Sequence, residues 1–217
     1  MAAFRAAAMR AKMAARFSGM LMTARKLAAQ VFRLNARLRR AGRLNAQMPL
    51  VLFTDDTPCD WAAAARRLPR DSIVVVRGRD AKGRAALFDC LRPLPLRLVI
   101  ADDPELAMEA DGLHLPEARA REAAHWRARH PGWIITASAH SLRALMASTH
   151  LDAIFLGPVF ATASHPGGKV LSPARAAFMA AHAMVPVYAL GGVTARNAAL
   201  LAPSFSGIAA IQALSSG

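Results

Sequence analysis

Cysteine is nearly absent from this chain: there are two, Cys59 and Cys90, far apart and in no CxxC or Cys/His spacing. That excludes a disulfide framework and implies no zinc site; it is the usage of reduced thiols in a cytoplasmic protein. Long hydrophobic runs are missing too. Charges, Pro or Gly interrupt every apolar stretch before the roughly 18 residues of a membrane helix, so no membrane span is expected. A glycine-rich dinucleotide fingerprint is missing after the first apolar run, where "TDDTPCD" stands instead, which weighs against a Rossmann fold. Acid is missing from one region only. Residues 1–54 hold eleven Lys or Arg and no carboxylate, the first being Asp55.

That last absence locates the net charge of +14, because the rest of the chain carries 17 basic residues against 14 acidic ones. A nucleic-acid binder more often spreads its cations over the folded surface. The basicity here belongs to an Ala/Arg/Met-rich extension, residues 1–46. Within it Leu27, Val31, Leu34 and Leu38 share one helical stripe, while Lys26, Arg33, Arg37 and Arg40 fall elsewhere. Three roles are open to this segment: a helix docked on the fold, a flexible tail, or a targeting or nucleic-acid segment. An anionic membrane surface is a further partner for its arginines.

What is present is a regular alternation. The 217 residues, 54 % apolar with mean hydropathy +0.24, suit one full-sized domain. Apolar runs at 50–54, 72–77, 97–101, 112–115, 133–139, 153–157, 186–190 and 207–211 read as strands. Segments of helical period lie between them, among them 59–68, 81–91, 104–109, 117–130, 141–148, 172–183 and 194–202. Eight strands joined by helices pair in parallel through right-handed crossovers. Their runs are apolar on both faces, as covered parallel strands must be. The predicted fold is therefore a (β/α)8 barrel, residues 47–217. Only "QALSSG" follows the last strand, too little for an eighth helix. The helix expected within residues 24–44 has the length and stripe to cover the bare strip.

In such a barrel the strand C-terminal ends and the loops after them line one site. Those positions are Asp55 and Asp56, Arg77 and Arg79, Asp102 and Asp103, His114 and Glu117, Ser138 and His140. They continue with the loop "GPVFATASHPGGK", the pair Gly191-Gly192, and Gln212, Ser215 and Ser216. Gly191-Gly192 reads either as a simple turn or as an anion cradle, with a helix from Thr194 aiming its positive end there. Asp102 is a ligand or part of the next helix cap. His114, inside a strand, reads as a hydrogen-bonded core or rim residue sooner than as a catalyst, and His140 stands open between a site role and a turn.

The stretches "VVVRGRD", "LVIADDPELAMEADGLHL", "ITASAHS", "IFLGPVFATASHPGG" and "VYALGGVTARNAALL" resemble, in order and spacing, the strand-end motifs of the thiamine phosphate synthase/TenI family. The resemblance spans residues 50–213. It implies a barrel enzyme that joins hydroxymethylpyrimidine diphosphate to thiazole phosphate and releases pyrophosphate, with phosphorylated pyrimidine and thiazole molecules as partners. It gives Arg77, Arg79 and Ser138 catalytic roles, and Thr162, Ser164, His165, Gly191, Gly192 and His140 substrate-binding ones. Mg²⁺ is the implied cofactor, with Asp102 and Glu117 as its candidate ligands.

The chain also departs from the family pattern. Val75 stands for a glutamine on strand 2, Ala101 for an asparagine on strand 3, and Arg119 for the second metal-binding carboxylate after strand 4. His165 stands for a lysine, Gln212 for a serine, and Pro158 where the tautomerase branch has its proton-carrying histidine. A barrel of the TenI kind that binds a phosphorylated thiamine precursor or thiamine phosphate without turnover is the alternative reading. The oligomeric state, including a homo-oligomer, is open.

Overall fold

Val and Ile crowd their χ1 against a helical turn but pack well on a pleated surface, so the short runs rich in these residues become strands. In the computed structural model, which describes residues 50–56, 60–78, 80–147, 149–162, 167–194, 196–201 and 204–210, eight of them form. They are β1 (Val51–Phe53), β2 (Ile73–Val76), β3 (Arg97–Ala101), β4 (Gly112–Leu115), β5 (Ile134–Ala139), β6 (Ala153–Leu156), β7 (Val187–Ala189) and β8 (Gly207–Ala210). Each pairs in parallel with the next, and β8 closes on β1 through Val51 opposite Ala209.

The connecting helices are short. They are α1 (Trp61–Ala65), α2 (Ala81–Leu91), α3 (Pro104–Ala107), α4 (Ala123–Arg129), α5 (Leu142–Met146) and α6 (Pro173–Ala181). Five begin where a side-chain oxygen accepts from an orphan backbone N–H: Asp60, Asp80, Asp103, Ser141 and Ser172. Two expected helices differ. The segment after β4 runs as a 3-10 helix over Glu117–Glu122 before α4 begins. After β7 only a 3-10 turn, Ala198–Leu200, appears among the described residues. There Thr194 and Asn197 cap each other, Asn197 Oδ1 accepting from Thr194 N–H and Thr194 Oγ1 from Asn197 N–H. Ala198 N–H donates to the Thr194 carbonyl, so the expected helical start is present but runs on only as the 3-10 turn. The N-terminal extension, with its expected helix at 24–44, lies outside the described residues, as do Gln212, Ser215 and Ser216. Among the described residues no helix is long and apolar enough to cross a membrane.

Alternation divides the strands into two cores. Val51, Phe53, Ile73, Val75, Val99, Phe155 and Tyr188 fill the barrel, while their neighbours in sequence pack outward against the helices. Phe53 meets Phe155 edge-on at 4.7 Å and the His114 ring at 5.2 Å. Each fully buried aromatic of this kind contributes roughly 1.5–3 kcal/mol by leaving water. Together they make a solid floor below the C-terminal mouth.

Candidate functional site

The same period of two that fills the barrel continues past the strand ends. Ile73 and Val75 point inward, so Arg77 comes next on that face; Thr136 lies inward on β5, so Ser138 and His140 follow. Thr54, fully buried, fixes the first of these: its Oγ1 accepts from Arg77 N–H at 2.8 Å and donates to the Arg77 carbonyl at 2.9 Å. The guanidinium lies 6.0 Å from the centroid of the Phe53 ring. Burial lowers the Arg77 pKa, and Asp55 and Asp56 oppose that shift.

Arg77, Ser138 and His140 are shared by two adjoining cavities. The larger, about 860 Å³, opens toward β6 and β7 and is bounded also by Thr162, Lys169, Arg175 and Gly191. Its described lining holds three strong cations and no carboxylate. The smaller, about 510 Å³, lies toward β3 and β4 with Arg84, Asp102, His114 and Glu117 in its wall. Arg84 braces this side by donating to Asp103 Oδ2 at 3.0 Å and to the Gly78 carbonyl.

His114 is the buried strand residue its position implied. Nδ1 lies 2.9 Å from Thr136 Oγ1 and Nε2 lies 3.0 Å from Ser138 Oγ. Desolvation, then the charge of Arg77, lowers its pKa to about 3, so the ring is neutral and serves to orient the Ser138 hydroxyl. His140 donates from Nδ1 to the Gly157 carbonyl.

The two candidate metal carboxylates are already engaged. Asp102 Oδ1 accepts from Arg119 Nη1 at 2.5 Å. Glu117 accepts from His140 N–H through Oε2 at 2.7 Å and from the Ser141 hydroxyl through Oε1 at 3.0 Å, pinning the turn between β5 and α5. Mg²⁺ demands a near-octahedral oxygen shell and binds through free carboxylate lone pairs. Among the described residues no group of three or more His, Cys, Asp or Glu is placed to hold a metal ion. With three of the four oxygens of Asp102 and Glu117 already accepting hydrogen bonds, the pair is a poor fit to Mg²⁺.

At the β6–β7 side, main chain packs on main chain. A Cβ at Gly157 would lie 2.2 Å from the Leu190 carbonyl oxygen, and Gly191, at φ +90°, would bring one within 2.6 Å of Pro158 Cβ. Gly191 borders the large cavity, whereas Gly192 stands just behind it with its carbonyl taken by Asn197. Of the other expected site residues, Thr162 borders the large cavity, and Arg79, Ser164 and His165 lie outside the described residues. Three cations in the mouth carry no strand-end signal: Arg84 from α2, Arg175 from the first turn of α6, and Lys169 from the loop between β6 and α6. Only the presence of Lys169 in the glycine-rich loop hinted at one of them.

Comparison with known proteins fits this geometry. The pattern described as "Thiamine monophosphate synthase" matches residues 52–214. A thiamine-phosphate synthase of Chlorobium luteolum is 34 % identical over 179 residues, 76 % of this chain and 84 % of that one. One of Azorhizobium caulinodans is 34 % identical over 155 residues, 66 % and 73 % of the two chains. A relative from Aquifex aeolicus, 38 % identical over 94 residues, is matched over only half its length. Among solved structures, a thiamine phosphate pyrophosphorylase from Pyrococcus furiosus superposes with a TM-score of 0.58 at 19 % identity, covering 76 % of this chain and 86 % of that one, a likeness of fold. A closed eight-stranded barrel with a cationic mouth, matched by this pattern over most of its length, belongs to the thiamine monophosphate synthase family.

Proposed function

We propose that the protein joins hydroxymethylpyrimidine diphosphate to thiazole phosphate and releases pyrophosphate. The bond between the pyrimidine methylene carbon and the diphosphate oxygen breaks, and its electron pair leaves with the diphosphate. The thiazole nitrogen then shares its lone pair with the resulting cation, forming the C–N bond of a thiazolium. No proton moves and no redox partner is needed. What the reaction asks of the protein is stabilisation of charge developing on the leaving group.

The observation that carries this reading is Arg77, one guanidinium bordering both cavities and fixed at its backbone by Thr54. A phosphorylated ligand on either side meets it, with Lys169 and Arg175 adding charge on the larger side. Arg79, Ser164 and His165 are assigned to the same anion site by resemblance. The Ser138 hydroxyl, held by the neutral His114, is oriented before any ligand arrives. No step is routed through a metal ion, since Asp102 and Glu117 are engaged elsewhere.

That engagement also favours a second reading, a barrel that binds a phosphorylated thiamine precursor without turnover. One assay separates the two. The full chain is incubated with both precursors, with and without Mg²⁺, and thiamine phosphate and pyrophosphate are followed by chromatography. Equimolar formation of both supports the synthase. Saturable binding of either precursor with no product in either buffer supports the binding protein.

A further inference from the structure

The guanidinium of Arg119 bridges two carboxylates from different parts of the chain. Nη1 reaches Asp102 at the end of β3, at 2.5 Å; Nε and Nη2 grip both oxygens of Glu122, each at 2.7 Å. Such forked pairs are the strongest geometry an arginine offers a carboxylate. Asp102 is held from behind as well, its N–H donating to the His114 carbonyl at 2.9 Å. Its φ of +53° is a conformation that Asp tolerates better than most side chains. Asp102 borders the small cavity, whose described lining does not include Arg119. A cation thus lies between two carboxylates, one of which lines the small cavity.

We propose that Arg119 is the built-in counter-ion of Asp102, standing where a divalent cation would otherwise bind, so that this barrel holds its phosphorylated ligand without a metal ion. The ligand in that statement rests on the proposed function; the ion bridge does not. Arg119 is a positioning residue, acting on the mouth through Asp102. Because it brings one positive charge against two carboxylates, it leaves no surplus for an incoming anion. That task falls to Arg77, Lys169 and Arg175.

Mn²⁺ serves as the probe, titrated into the full chain with no substrate present and read as free ion by electron paramagnetic resonance. The wild-type chain is expected to show no stoichiometric site below about 1 mM. Arg119→Asp should create one site per chain, at least tenfold tighter, that disappears again when Asp102→Ala is added. Thermal melting followed by circular dichroism shows whether each variant folds. If Arg119→Asp does not fold, Arg119→Gln, which keeps donors but no charge, must show the same tenfold gain. One Mn²⁺ bound by the wild-type chain and lost in Asp102→Ala overturns the proposal, and so does a folded Arg119 variant with no gain.

A parallel calorimetric titration with inorganic pyrophosphate addresses the ligand. Binding in EDTA is expected, and binding that appears only with Mg²⁺ overturns the proposal. No binding in either buffer, with the Mn²⁺ results as expected, instead sinks the proposed function and leaves the ion bridge standing.

Discussion

On the β6–β7 side of the mouth, Arg77, Lys169 and Arg175 border a cavity with no carboxylate in its described wall. On the β3–β4 side Arg84 is tied to Asp103, and Arg119 to Asp102 and Glu122. The two sides thus use the same residue types to opposite ends. Paired ions fix a shape before a ligand arrives but leave little net charge to attract one. Cations without an acid in the same wall do the reverse, and raise the local potential felt by an approaching anion. The larger side is built to attract and the smaller side to hold form.

The largest effect should come from the residue both sides share. Charge-assisted hydrogen bonds are worth roughly 1.5–3 kcal/mol each, so Arg77→Ala, losing about two, should weaken inorganic pyrophosphate by at least about a hundredfold in a calorimetric titration. Arg77→Lys should recover only part of it, because an ammonium cannot reproduce the planar fork. A loss under about threefold for the alanine variant would break the idea of a shared wall.

The middle effect tests the asymmetry itself. Lys169→Ala or Arg175→Ala should weaken thiazole phosphate by about tenfold, one charged bond each, while dephosphorylated thiazole alcohol binds as before. Both side chains are exposed. Their contribution should therefore shrink as ionic strength rises past physiological. Equal losses on the two ligands would mean that the large cavity discriminates by shape alone.

The smallest effect concerns the floor beneath both sides. His114 is lowered to about 3 in the fold from 6.5 when unfolded, so the unfolded chain takes up its proton first as pH falls. Its neutral ring therefore supports full stability above about pH 6.5, and stability declines from there toward pH 3. The limiting slope is about 1.4 kcal/mol per pH unit. Melting temperatures measured between pH 7.5 and 5, above the range where most carboxylates titrate, should fall by several degrees. His114→Gln should flatten that part of the curve, and a wild-type curve that is already flat there would show the ring to be protonated in the fold.

Much of this was written in the sequence, where the chemistry follows a short period. Ile73, Val75 and Arg77, or Thr136, Ser138 and His140, can be counted off as one face of a strand, and the fold class follows from eight such runs. Lys169 and Arg175 could not be found that way. They reach the mouth because the chain after β6 folds back, Leu171 N–H donating to the Pro158 carbonyl at 2.9 Å, a contact no local pattern specifies. Glu117 looked free to bind a metal until the turn at His140 and Ser141 was brought against it. The helix expected from Thr194 is capped as its sequence implied but shortens to a 3-10 turn over Ala198–Leu200. The strand ends were legible because they obey geometry near in sequence, and the rest depends on segments distant in it.

The contact of Gly157 and Gly191 with the neighbouring backbone has a mechanical consequence. Side chains between two loops act as soft washers, turning from rotamer to rotamer to absorb a displacement. Here the two loops are joined directly by backbone: Phe160 N–H donates to the Gly191 carbonyl at 3.1 Å, and Val159 N–H to that of Leu190 at 2.9 Å. Those bonds leave little freedom for one loop to shift without the other. Residues 159–160 and 190–191 are therefore clamped main chain to main chain, and the spacing between Thr162 and Gly191, which border the same cavity, is set by backbone rather than by side-chain rotamers.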